Sequence, residues 1–179
     1  MSVLTESRAK TSAEDWVTLN LGEWNVSTSE RGVLACLGLG SCVALCAYDA
    51  EAAVAGMAHM VLPSSATSSN SSGPKFVDIA IPMVISQMER RGAERARIAC
   101  YLVGGAHILK NTTTAIAQVG ERNIEAARAG LKELGLRSRA EDIGGERGRT
   151  VRLHVGSGLL EVAHAGAGAE SRTLANGRR

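Results

Sequence analysis

Aromatic residues are almost missing from this chain: one Phe, two Trp and two Tyr in 179 residues. Base-stacking platforms need such rings, so a nucleic-acid partner is not expected. A surplus of one charge is missing as well. Lys+Arg 20 against Asp+Glu 18 leaves +2, which argues against a polyanion-binding or membrane-binding face. No apolar run approaches the roughly 20 residues of a membrane helix, so no membrane insertion is expected. Residues 1–12 are polar and lack the apolar region of a signal peptide. Cysteines 36, 42, 46 and 100 include no C-x-x-C pair. A reduced, cytoplasmic protein with free thiols is the expectation.

What is present is ordinary for a globular chain: 45% hydrophobic residues, 21% charged residues and 20 glycines. The length suits one domain with one core. Trp16–Leu21 alternates in the strand period, with Gly22 as a possible bulge, and Gly32–Leu37 is a short apolar strand. Val43–Tyr48 and Val54–Leu62 read as a hairpin turning on Ala50-Glu51, although Ala is a poor turn signal and a helix is the alternative. Ser64–Pro74, rich in serine, reads as a flexible surface loop.

Val77, Ala80, Ile81, Val84, Ile85 and Met88 repeat at helical spacing up to Gly92, and Pro82 fits if the regular helix starts or kinks there. Arg97–Val103 is a buried strand, and a second helix spans about Glu121 to Leu134. Strands follow near Arg137–Asp142, Thr150–Val155 and Leu159–Ala163. The expected fold is α/β: a single-domain layered sandwich of mixed or antiparallel sheet, with about seven strands and two main helices. Residues 15–163 form the domain, between a flexible tail at 1–14 and a disordered tail at 164–179.

Chemistry gathers at Gly38-Leu-Gly-Ser-Cys42. Glycines there let backbone amides approach a ligand, and Cys42 at the tip suits a nucleophile whose own N–H binds an oxyanion. In a hairpin turning on Ala50-Glu51, facing residues have numbers that add to 101, as Cys42 and His59 do. Directly opposed residues share a face with Cβ atoms about 4.5–5.5 Å apart, which sets a thiol beside a base. The bland readings stay open: Cys42 as a small core residue, and His59 as a hydrogen-bonded core histidine. Cys36, Cys42, Cys46 and His59 form no common zinc spacing, so no metal or other cofactor is expected.

These residues also carry a resemblance. Leu37-Gly-Leu-Gly-Ser-Cys42-Val-Ala and Gly56-Met-Ala-His59-Met-Val-Leu-Pro63 resemble the chemoreceptor glutamine deamidases of chemotaxis, the CheD family. Lys75-Phe-Val-Asp78, Val103-Gly-Gly-Ala106, Val119-Gly-Glu-Arg-Asn123 and Glu141-Asp-Ile-Gly-Gly-Glu-Arg-Gly-Arg149 extend it in order, over about Leu19 to Val162. The resemblance implies hydrolysis of glutamine side chains on the cytoplasmic helices of chemoreceptors, some members also cleaving glutamate methyl esters. It implies an α/β sandwich with a cysteine-hydrolase-like site, Cys42 the nucleophile and His59 the base and acid. Gly40, Ser41, Gly104 and Gly105 fall to the oxyanion and substrate loops. A regulatory partner of the CheC phosphatase type is implied as well, and a purely regulatory binding role is the alternative. One position departs from the pattern: six residues before the nucleophile the family usually carries a threonine that orients the histidine, and here stands Cys36. Either Cys36 replaces that threonine, its S–H or a neighbouring backbone carbonyl holding the His59 ring, or the third member is absent and activity is lowered; the bland reading is that Cys36 is a packed strand residue pointing away from the site.

Overall fold

The computed structural model describes residues 15–67, 73–107, 118–166 and 170–176. The expected tail at 1–14 and the centre of the serine-rich loop, 68–72, lie outside the described residues. In chain order the elements are β1 (Asp15–Thr18), β2 (Trp24–Ser27), β3 (Gly32–Leu39), β4 (Val43–Asp49), β5 (Val54–Met60), α1 (Val77–Arg90), β6 (Ala99–Gly104), α2 (Val119–Glu133), β7 (Ser138–Ile143), β8 (Arg149–His154), β9 (Leu159–His164) and β10 (Ser171–Asn176).

The strands form two mixed five-stranded sheets, β1-β3-β8-β9-β10 and β2-β5-β4-β6-β7. Only β1–β3 and β6–β7 pair in parallel. The second pair needs a crossover connection, and α2 supplies it. Leu34, Cys36, Val151 and Leu153 of the first sheet pack on Ala44, Cys46, Met57 and Val103 of the second. The far face of the second sheet, with Leu45, Ala58, Met60 and Leu102, is covered by Ile81, Ile85 and Met88 of α1 and Ile124 and Leu131 of α2. The layers are thus sheet, sheet and helix pair. Strand β4 is buried at every residue because it lies in the middle of both cores.

Several expectations change. The strands number ten among the described residues, because β2 and β10 gave no readable signal. β2 has four residues, too few for a period. β10 overturns the disordered tail: Ser171–Asn176 pairs antiparallel with β9. It is an edge strand whose only half-buried residues are Leu174 and Ala175, so it needs no apolar alternation. Helix α1 starts at Val77 and carries Pro82 inside it, on the solvent side, where the carbonyl that proline leaves unpaired meets water.

The β4–β5 hairpin holds, but with a different turn. Residues 50–53 form the loop, in which Asp49 Oδ1 accepts from the Glu51 and Ala52 amides at 3.0 and 3.3 Å and Ala53 takes φ +53°. A side-chain carboxylate replaces the missing turn residues. The centre moves by one residue and the register by two: Ala44, not Cys42, faces His59.

Candidate active site

Cys42 follows the Gly40-Ser41 turn at the mouth of β4. Of the four free cysteines it is the one not buried; Cys36, Cys46 and Cys100 are sealed in the core. Three successive carbonyls of its loop are tied down from one side. Gly40 accepts from Ala106 N–H at 2.7 Å and Cys42 from Gly105 N–H at 2.7 Å. Ser41 accepts from Asn123 Nδ2 at 2.9 Å. The same amide nitrogen donates to the Val61 carbonyl at 2.9 Å, two residues beyond His59. Gly104, at φ +115°, has no room for a side chain, since a Cβ there would collide with the Cys42 carbonyl. Gly104 and Gly105 therefore back the loop, and the Gly105 N–H, spent on the Cys42 carbonyl, is not a free oxyanion donor.

His59 lies on the same sheet face as Cys42. It opposes Ala44, and Cys42 stands two residues before Ala44 and packs against the inter-sheet core. Such diagonal neighbours lie about 7–8 Å apart. The ring is 4% exposed. Its Nδ1 sits 3.1 Å from the Leu19 carbonyl, and Nε2 has no hydrogen-bond partner among the described residues. A carbonyl only accepts, so Nδ1 carries the hydrogen and Nε2 is a bare lone pair. The backbone holds the residue as firmly: Gly22 N–H donates to the His59 carbonyl and His59 N–H to Glu23, both at 2.9 Å.

The electrostatics favour a neutral pair. Burial pushes the Cys42 thiol above its ordinary range, opposed in part by its own backbone N–H. Burial holds His59 below the ordinary imidazole range, against the raising effects of the Leu19 carbonyl and the Glu23 charge. The site thus rests as thiol and imidazole, with a base able to take a proton when a substrate brings sulfur and nitrogen together. Among the described residues no group of three or more His, Cys, Asp or Glu is placed to hold a metal ion. None of their helices is long and apolar enough to cross a membrane.

Comparison with known proteins fits these residues to a family. The family model described as CheD chemotactic sensory transduction matches residues 49–164. The probable chemoreceptor glutamine deamidase CheD of Archaeoglobus fulgidus is 38% identical over 152 residues, 85% of this chain and 95% of that protein. The chain belongs to the CheD family. The chemoreceptor glutamine deamidase CheD of Thermotoga maritima is 36% identical, over 84% of this chain and 92% of its own. The probable deamidase of Thermococcus kodakarensis is 37% identical, over 82% and 91%. Among solved structures, the Bacillus licheniformis hypothetical protein YfiH aligns at TM-score 0.44 and 19% identity, over 66% of this chain and 49% of that one.

Within this CheD chain, Cys36 is not bonded to His59. It is fully buried, its Sγ 3.5 Å from Met57 Sδ, and the hydrogen bond of His59 Nδ1 goes to the Leu19 carbonyl instead. A backbone acceptor has no residue signature, so only structure reveals it. Asn123 closes the Val119–Asn123 motif noted in the sequence, but its place at the site was not expected from it. A signal existed: Gly120, Asn123, Ile124, Ala127 and Leu131 form the buried stripe of α2, and an asparagine among them needs polar partners.

Proposed function

We propose that this chain hydrolyses glutamine carboxamides on the cytoplasmic segments of chemoreceptors, giving glutamate and ammonia, by way of a thioester on Cys42. The substrate class is supported by membership of a family whose named relatives are chemoreceptor glutamine deamidases. The chemistry rests on one observation: the one accessible thiol shares a face with a histidine whose unbonded nitrogen is fixed as the acceptor.

The steps follow from those two groups. His59 Nε2 takes the Cys42 proton as sulfur attacks the carboxamide carbon, and the Cys42 N–H faces the oxyanion that forms. Protonated His59 then passes its proton to the leaving nitrogen, and ammonia departs. Water, deprotonated by the same Nε2, opens the glutamyl thioester and restores the thiol. A glutamate methyl ester would follow the same route with methanol leaving. Leu19 takes the role of the family's orienting threonine. We also propose action in the cytoplasm, where the thiols stay reduced, and regulation by a phosphatase of the CheC type, on family membership alone; co-elution of the two purified proteins tests that pairing.

Ammonia release from a purified receptor cytoplasmic fragment tests the reaction, with glutamine-to-glutamate conversion read by peptide mass. Release by wild type and none by Cys42→Ala is expected. Equal release by both overturns the nucleophile, and binding of the fragment without release by wild type would leave only the regulatory reading.

A further inference from the structure

Among the described residues, Asn123 is the side chain hydrogen-bonded both to the Cys42 loop and to the chain just past His59. Ser41 and Val61 lie 20 residues apart, one next to the thiol and the other just past the histidine, and they share a single amide nitrogen. Both partners are carbonyls, so the nitrogen must face them and the amide orientation is fixed by chemistry. Asn123 is fully buried, and its Oδ1, turned away from the two carbonyls, has no partner among the described residues. An unpaired buried acceptor is costly, and Asn123 carries that cost while its nitrogen satisfies two backbone carbonyls. The same helix turn supports the loop at a second point: Gly120 packs on the Gly105 carbonyl, and the Gly105 N–H holds Cys42.

We propose that Asn123 is a positioning residue for the reaction proposed above, a two-pronged clamp that fixes the Cys42 loop against the end of the His59 strand. By drawing the Ser41 carbonyl toward α2 it sets the plane of the Ser41–Cys42 peptide, so that the Cys42 N–H, trans to that carbonyl, points away from α2 toward the thiol side. By holding Val61 from the same atom it makes the spacing of thiol and imidazole independent of the loops around them. Asn123 lies behind the loop with Gly105 and does not meet substrate.

Two variants and two readouts test this. Asn123→Asp keeps the shape and removes both donors, and Asn123→Ala removes the side chain. A displaced catalytic group costs about a hundredfold in rate. For both variants kcat on the receptor fragment should fall by about that factor with KM unchanged. The pH profile of Cys42 alkylation by iodoacetamide should move to higher pH. Should the buried carboxylate prevent folding, Asn123→Ala decides. A folded variant with wild-type kcat and an unmoved alkylation profile overturns the clamp, as does a loss explained wholly by the unfolded fraction. Alkylation reads Cys42 without any receptor, so a wild type that releases no ammonia would sink the function proposed above and leave the clamp to the alkylation profile.

Discussion

Two buried polar clusters lie side by side in this molecule, and they are built on opposite rules. At the first, Asp142 of β7 meets three partners from the other sheet: Arg149 Nε on Oδ1 at 2.7 Å, with His164 Nε2 at 2.9 Å and Arg172 Nε at 2.7 Å on Oδ2. At the second, His59 Nε2 and Asn123 Oδ1 are buried with no partner among the described residues. The satisfied cluster clasps the two sheets and anchors the turn after β7. From that turn the Gly144 N–H reaches the Gly104 carbonyl at 2.9 Å, directly behind the Cys42 loop. The unsatisfied cluster spends stability on a lone pair held ready. Polar burial that is fully paired reads as scaffold, and polar burial left open beside a reachable thiol reads as chemistry.

The comparison breaks most sharply at the open cluster. His59→Ala should remove turnover with the fold intact, because no buried group loses a charge partner, and steady-state ammonia release with a thermal melt checks both. The clasp should behave the other way. Asp142→Asn leaves Arg149, 5% exposed, as an uncompensated charge, which costs about 3–5 kcal/mol in the melt. The activity of the molecules that remain folded should be close to wild type. By contrast Arg95→Ala, which removes the exposed, solvent-screened ion pair with Glu89, should leave the melt close to wild type.

Acid distinguishes the clusters again. Burial acts to raise the Asp142 carboxyl, but hydrogen bonds from His164 and Arg149, with the Arg149 charge, hold it below the usual range. Its folded value lies below its unfolded one, so its contribution is whole above the unfolded value and is lost as pH falls through the folded one. His59 is lowered by burial, so the neutral base persists to more acidic pH than an ordinary histidine. The acid limb of kcat/KM should therefore fall below about 6.5. A limb above that value would contradict a desolvated base. The smallest effect is expected from Cys36→Thr. Since Leu19 holds the ring, kcat should stay near wild type, and a clear fall at unchanged stability would return Cys36 to the site.

The α/β layering was legible because β4, β5, β6, α1 and α2 carry dense apolar patterns with glycine ends. Cys42 and His59 were legible through motif and parity; the shared face survived a register error of two because the side-chain period is two. The error arose at Ala50–Ala53, where Asp49 makes the turn that no glycine or proline announces. β10 was illegible because an edge strand of Ser, Arg and Thr has no buried face to advertise. The Leu19 carbonyl was illegible for a deeper reason: backbone acceptors are identical at every residue. Asp142 looked like one more surface carboxylate until the sheets brought Arg149, His164 and Arg172 around it.

Trapping the covalent intermediate tests the central claim most directly. A receptor fragment mixed with enzyme, quenched in acid and mapped by mass should show a glutamyl adduct on Cys42 that hydroxylamine removes. The adduct should be absent in Cys42→Ala. An adduct on another residue, or turnover by Cys42→Ala, would contradict the account.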